Sequence, residues 1–353
     1  MQSIQKLNPD AKFTGIGGKK MISAGLKSLE KIDNLSIMGF VEVIKHLAFF
    51  RKLTNRVLDE ISFVQPIQII LIDYPGFNLR LAKKINSRFN ISITYYISPQ
   101  LWAWKEKRIE IIRKCVDQML VIFPFEENWY KERGIQTKFV GHPIFDEWSP
   151  TSKHDLCILL RLNPDKPILT LFPGSRKQEI NRHLPLFLKV VENLRAKNLQ
   201  IQFILGLADE LNLADFSIPD WIQIEKDDPQ KALECADVAL TASGSATLEA
   251  AIYGTPMIII YKMAALSWWI SKLLVKTEYA GMVNILAGKE IMPEYLQNQA
   301  TVESITNKAF NMISDSDVQE KMKSKLLNVK KTLQGSGASQ MAAKYILSLV
   351  ESK

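Results

Sequence analysis

Cysteine and histidine are scarce in this chain. Its 353 residues include three cysteines, Cys115, Cys157 and Cys235, and four histidines, His46, His142, His154 and His183. The cysteines are odd in number and widely scattered, so neither a disulfide framework nor a thiolate metal site is expected. A reducing cytoplasm is the plain reading. The histidines form no paired metal motif. Long apolar runs are missing as well. The nearest approach, Pro256 to Val275, is broken by Lys262 and Lys272, so no membrane-spanning helix is expected. The opening Met1-Gln2-Ser3-Ile4-Gln5-Lys6 lacks the apolar core of a secretory signal. Internal repeats and low-complexity segments are absent too.

What is present describes a globular protein. Hydrophobic residues make up 47% and charged residues 23%, and a chain of this length divides most naturally into two domains. The net charge of +8 favours anionic partners: nucleotides, nucleic acid or an anionic membrane surface. Charge alone does not choose among them. Short apolar segments at Ile67–Ile72, Ile91–Tyr96, Gln118–Ile122, Thr137–Val140, Ile168–Phe172, Ile201–Leu205, Val238–Thr241 and Pro256–Tyr261 read as strands. Their continuous apolar character suits strands covered on both faces, hence parallel sheets. Amphipathic stretches such as Leu79–Asn90, Lys105–Lys114 and His183–Lys197 lie between them. This rhythm predicts doubly wound α/β domains. Turn-formers crowd Pro143–Pro167, which is the best boundary. A basic helical stretch follows Thr301, and a last helix starts near Ala338. The start is unusual for such a fold: Gln2–Leu7 reads as the tail of a helix, and an opening strand with its glycine-rich turn is missing.

Two turns carry the clearest chemistry. Strand Ile168–Phe172 runs into Pro173-Gly174-Ser175-Arg176, and strand Val238–Thr241 runs into Ser243-Gly244-Ser245-Ala246-Thr247-Leu248-Glu249. Each is strand, small-residue turn, helix start. Unpaired N–H groups and the helix dipole make such a turn a phosphate site. Ser175 and Arg176 would reach phosphate oxygens, Arg176 neutralising charge on a leaving diphosphate. Ser243 and Gly244 open the second turn, Ser245 and Thr247 can cap its helix and touch phosphate, and Glu249 can take both hydroxyls of a ribose. Alone, the first turn is also an ordinary turn with a solvated arginine; the pair points to a nucleoside diphosphate. Asn284 and Gln297, in a polar-studded loop, suit hydrogen bonds to a uracil or a sugar.

Asp73 ends the most apolar strand, where open α/β sheets bind ligands. It is either a general base toward a substrate hydroxyl or a residue that only caps the next helix. Ser98-Pro99-Gln100-Leu101-Trp102-Ala103-Trp104-Lys105 is either an aromatic–basic binding edge or a packing corner. Phe123-Pro124-Phe125-Glu126 and Gly141-His142-Pro143 read as proline-ordered turns, with His142 a phosphate contact or a structural residue. Ile37–Leu47 and Met263–Leu274 are either membrane-seeking or buried.

In order along the chain, Ile37–Val43, Asp73–Asn78, Tyr96–Trp104, Pro173–Arg176, Ser243–Glu249, Lys276–Tyr279 and Asn284–Glu290 resemble the lipid-A-disaccharide synthases, a family of bacterial glycosyltransferases. The resemblance implies a GT-B fold, two Rossmann-like domains across a cleft with the final helix returning to the first. The domains would be 1–150 for acceptor and lipid, 151–335 for UDP-sugar, and 336–353 for the returning helix. It implies transfer of 2,3-diacylglucosamine from its UDP derivative to 2,3-diacylglucosamine 1-phosphate, with inversion and release of UDP. Asp73 would then be the catalytic base on the acceptor 6-hydroxyl. Arg176 would act at the diphosphate, and Ser175, Ser243, Gly244, Ser245, Thr247, Glu249, Asn284 and Gln297 would bind UDP-sugar. No metal and no cofactor are implied. A homodimer and a peripheral place on the cytoplasmic face of the inner membrane are. Family members open with a strand and a Gly-Glu-x-Ser-Gly-Asp turn that this sequence does not contain. We read this as a truncated start, expected to expose the edges of neighbouring strands and remove one wall of the acceptor site. The competing readings are another UDP-sugar enzyme of this fold, such as a peptidoglycan glycosyltransferase or a UDP-N-acetylglucosamine epimerase, and a UDP-binding membrane-surface fragment without chemistry. Nucleic acid has only the charge behind it.

Overall fold

The computed structural model describes all residues except 32–46, 198–199, 208–212, 214–215, 265–267, 270–273, 334, 336 and 352–353. The chain forms two compact units, one of Met1–Trp148 with Leu333–Lys353, the other of Ser149–Thr332. The segment Ile37–Leu47, read as membrane-seeking, lies outside the described residues except for Leu47. Of Met263–Leu274, only Met263, Ala264, Trp268, Trp269 and Leu274 are described. Among the described residues, no helix is long and apolar enough to cross a membrane.

Among the described residues the first unit holds two parallel sheets. Strands β1 (Phe13–Gly17) and β2 (Leu26–Lys31) pair with each other, and β3 (Gln68–Ile72), β4 (Ser92–Tyr96), β5 (Gln118–Val121) and β6 (Thr137–Phe139) pair in sequence order. Because every strand of the second sheet runs the same way, the loops after β3, β4, β5 and β6 emerge at one edge. The sheet is packed by Leu53, Leu58, Leu81, Ile85, Ile112 and their neighbours. Among the described residues β3 pairs with β4 alone. It is only partly buried, with Ile72 exposed, whereas β5 is buried throughout. The last helix, Ala338–Glu351, packs Ala342, Ala343 and Ile346 against Ile4, Leu120 and Val140 of this unit. Its N-terminus is capped by Asp146, whose carboxylate accepts from the N–H groups of Gly337, Ala338 and Ser339 at 2.6–3.0 Å. Three orphan donors are thereby satisfied by one acid.

The second unit is one six-stranded parallel sheet. Its strands are β7 (Ile168–Phe172), β8 (Gln202–Gly206), β9 (Ile222–Glu225), β10 (Val238–Ala242), β11 (Met257–Tyr261) and β12 (Glu294–Leu296), in the order β12-β11-β10-β7-β8-β9. The chain builds outward from β7 to β9, then returns to the other flank of β7 to lay down β10. That reversal is a topological switch point, and the crevice above it is where open α/β sheets take ligands. The helix Lys177–Ala196 turns Ile180, Leu184, Phe187, Val191 and Leu194 onto the sheet at helical spacing.

All eight anticipated strands are present within a residue or two at their ends. Four more form that the sequence pattern did not show: β1, β2, β9 and β12. Phe13-Thr14-Gly15-Ile16-Gly17 is rich in glycine and Leu26–Lys31 is half polar, while β9 and β12 are short edge strands. None carries the continuous apolar run of a strand buried on both faces. The helix expected at Leu79–Asn90 begins earlier, at Pro75–Asn86, with proline in its first turn where its missing N–H costs nothing.

Candidate functional site

In the second unit the two small-residue turns leave adjacent strands. Parallel pairing sets Thr241 of β10 beside Phe172 of β7, so Pro173–Arg176 and Ser243–Ser245 flank the switch-point crevice together. Gly174 has φ +116, and a Cβ there would lie 2.5 Å from the Glu179 carboxylate; only glycine fits. Gly244 has φ +142 with open space above it. It precedes the helix Ser245–Tyr253, which has no side-chain cap. Gly244 and Ser245 are exposed, so this helix N-terminus is open to an anion.

The first turn differs from the sequence reading in one respect. Its N–H groups are engaged: those of Ser175 and Arg176 donate to Glu179 Oε2 at 3.1 and 3.3 Å. Arg176 is the N-cap of Lys177–Ala196, and its guanidinium meets Glu179 Oε1 at 3.4 Å with 80% of the side chain exposed. A carboxylate therefore closes the turn in a capping box, and the arginine projects from it.

Two of the expected ligand contacts are spent inside the protein. Asn284 is fully buried. Its Nδ2 donates to Met292 O and Glu294 Oε1 at 2.8 and 2.7 Å, and its Oδ1 accepts from the N–H groups of Ile291 and Met292. Thr247 is also buried, its hydroxyl donating to Gly244 O at 2.8 Å and accepting from Met282 N–H at 3.2 Å. Both side chains are buried and brace loops within the protein. Ser243 likewise donates its hydroxyl to Ala280 O at 2.7 Å.

Glu249 and Gln297 behave differently. Among the described residues no hydrogen bond or ion pair engages the half-buried Glu249 carboxylate, and burial raises its pKa. Gln297, just past β12 with φ +50, has a buried Nε2 without a hydrogen-bond partner. The buried, unpaired Gln297 donor is costly unless a ligand completes it.

His183 is a residue the sequence reading missed. It is buried, its Nδ1 lying 3.0 Å from Pro173 O while its Nε2 accepts from Lys262 N–H at 3.0 Å. Nδ1 must then carry the proton, and burial lowers the pKa of the ring, favouring this neutral tautomer. His183 ties the first turn to the chain leaving β11. Its position within an apolar helix face concealed that role, because the two partners are backbone atoms distant in sequence.

In the first unit Asp73 stands at the end of β3 with φ +44, followed by Tyr74 with φ +45. Two successive left-handed residues other than glycine cost of order 1–3 kcal/mol each. Burial raises the Asp73 pKa, opposed by a hydrogen bond from the Tyr74 N–H; a stronger base suits proton abstraction from a hydroxyl. After β4 and β5, Trp102 meets Phe125 edge-on at 5.0 Å, and Phe123 lies 5.8 Å from His142 after β6. Burial lowers the His142 pKa to about 4, so the ring is neutral at pH 7.

Beneath these aromatics sits Glu126, also missed in the sequence. Trp102 Nε1 donates to its Oε1 at 2.9 Å. Its Oε2 and the neighbouring Ser98 hydroxyl are buried, and no hydrogen bond of ordinary geometry closes between them. Burial pushes the carboxyl up to about 7, with the Trp102 N–H opposing. The unfolded chain releases this proton near 4.5, so between pH 4.5 and 7 the folded protein binds more protons than the unfolded one. Stability contributed by this group therefore declines as pH rises through that window. Glu126→Gln keeps an acceptor for Trp102 and abolishes the titration. The variant is expected to lose the Glu126 part of the pH slope and, at pH 8, to gain about 3 kcal/mol at most over the parent. Melting temperatures from pH 4 to 8 check this; parallel curves for the two proteins would refute it.

The family model described as lipid-A-disaccharide synthetase matches residues 1–348. The chain is 36% identical to a lipid-A-disaccharide synthase of Coxiella burnetii over 355 residues, covering 99% of this chain and 93% of that protein. It is also 36% identical to one of Trichlorobacter lovleyi, with the same coverage. Among solved structures, the glycotransferase of kitacinnamycin superposes with a TM-score of 0.65 at 12% identity, over 99% of this chain and 94% of that one; this likeness concerns the fold.

Proposed function

This chain belongs to the lipid-A-disaccharide synthase family, and from that premise we propose how its residues divide the reaction. It is a glycosyltransferase of lipid A disaccharide synthesis with a GT-B fold. A different UDP-sugar enzyme or a non-catalytic fragment is not favoured, because the family match runs through both units.

The donor, UDP-2,3-diacylglucosamine, belongs to the second unit. The observation that carries this assignment is the pair of turns on neighbouring strands at the switch point, with the buried Gln297 Nε2 unpaired in the same unit. The diphosphate takes the open N-terminus at Gly244-Ser245 and the Arg176 guanidinium, Ser175 and Ser243 shape the turns, and Glu249 accepts from the ribose hydroxyls. Gln297 Nε2 donates to the base or sugar. The acceptor, 2,3-diacylglucosamine 1-phosphate, belongs to the first unit. Asp73 takes the proton of its 6-hydroxyl as the oxygen attacks the anomeric carbon. The bond from that carbon to the diphosphate oxygen breaks, its electron pair leaves with UDP, and the configuration inverts. Arg176 stabilises the charge that develops on the leaving group.

We also place the enzyme at the cytoplasmic face of the inner membrane as a homodimer. The family resemblance supports both, and the +8 charge and exposed Trp269 suit an anionic lipid surface. Incubating the full chain with both diacylated sugars is expected to release UDP and form disaccharide 1-phosphate in equal amounts. UDP binding with no disaccharide product would overturn this reading in favour of a non-catalytic one.

A further inference from the structure

The backbone at Asp73 is held by more bonds than a helix cap requires. The Asp73 carbonyl accepts twice: from the Tyr95 hydroxyl at 2.6 Å and from Asn78 Nδ2 at 2.7 Å. The same Asn78 nitrogen reaches Ile72 O at 3.0 Å, and Asp73 N–H continues the sheet by donating to Tyr96 O at 2.9 Å. Both lone pairs of one carbonyl are thus spent on side chains from different elements, β4 and the helix Pro75–Asn86. Tyr95 is fully buried and Asn78 nearly so, so neither bond competes with water. The left-handed Asp73-Tyr74 pair is costly in backbone energy and persists because its surroundings determine it. Rotating the peptide between these residues would strand two buried donors at once.

We infer that Tyr95 and Asn78 are positioning residues for the reaction, clamping the Asp73–Tyr74 peptide so that the Asp73 carboxylate leaves the sheet in one fixed direction. The inference rests on the reading of Asp73 as the base. It extends that reading to two side chains that need not touch either substrate. Loss of a base's alignment lowers the rate without weakening ground-state binding, because the misplaced group is needed only as the proton moves.

Tyr95→Phe tests this with the smallest disturbance, since it removes one oxygen from a buried ring. The expected result is a kcat lower by about tenfold to a hundredfold, with KM for both sugars within about twofold and an ordinary cooperative melt. Asn78→Ala is expected to act in the same direction. The decisive comparison is Tyr95→Phe in an Asp73→Asn background. If the tyrosine acts only through the aspartate, the second substitution adds little to the first. An unchanged kcat in Tyr95→Phe, alongside a crippled Asp73→Asn, would remove the clamp and leave the base in place. An equal loss in both backgrounds would give Tyr95 an independent role and also overturn the proposal. A fully active Asp73→Asn would overturn the base and the clamp together.

Discussion

Replacing Asp73 by asparagine is expected to slow glycosyl transfer by about 10²- to 10⁴-fold, the range associated with a positioned general base. Asparagine suits this position better than alanine. Residue 73 sits at φ +44, a conformation that asparagine tolerates and alanine does not. The Asp73 main-chain bonds to Tyr95, Asn78 and Tyr96 are unaffected by the change. Melting temperature and UDP affinity should therefore stay near the parent values while kcat collapses. The pH profile gives a second reading. Burial raises the Asp73 pKa, so the parent rate should fall on the acid side at a pH above that of an ordinary aspartate. That limb should be absent from the residual rate of the variant. An Asp73→Asn protein with near-parental kcat would exclude the base role.

Arg176→Ala is expected to cost about 10²- to 10³-fold in kcat, the scale for removing one preorganised donor from a developing anion. The structure argues that this loss would be chemical and not a loss of fold. The Arg176 side chain is 80% exposed and pairs at 3.4 Å with Glu179, three residues away; such surface pairs add little to stability. The capping box itself holds through backbone N–H groups that alanine also supplies. UDP should still bind, more weakly, through the helix N-terminus at Gly244-Ser245. Arg176→Lys should recover part of the loss, because lysine keeps the charge but not the planar fork. Steady-state kinetics with a UDP titration would separate the two effects. A kcat within threefold of the parent would place the leaving-group charge elsewhere.

The two small-residue turns were legible in the sequence because each is local: strand, small residues and helix start follow within a dozen positions. What those turns do with their N–H groups was not. Glu179 closes the first turn from within its own helix, and nothing in Pro173–Arg176 announces that. Asn284 and Thr247 looked like free polar groups because their partners, Met292, Glu294 and Met282, become neighbours only when the loop folds. The opposite error concealed Glu126 and His183, which read as part of a proline-ordered turn and as the start of an amphipathic stretch. Their importance depends on burial, which no short window of sequence reports.

The sequence by itself determined the alternation of strand and helix, the positions of eight strands, the two phosphate-type turns, the acid at the end of β3 and the family resemblance. These follow from apolar runs, turn residues and short motifs, all of which act over a few neighbouring residues. Only the tertiary structure decided which side chains are spent and which remain available. It set β7 beside β10 so that two turns share one crevice, engaged Asn284 and Thr247 in bracing loops, and left the buried Gln297 amide nitrogen unpaired. It also bent Asp73 and Tyr74 into a left-handed pair held by Tyr95 and Asn78. The reason is physical: a buried polar group must find its partner wherever the fold brings one, and the distance along the chain places no limit on where that is.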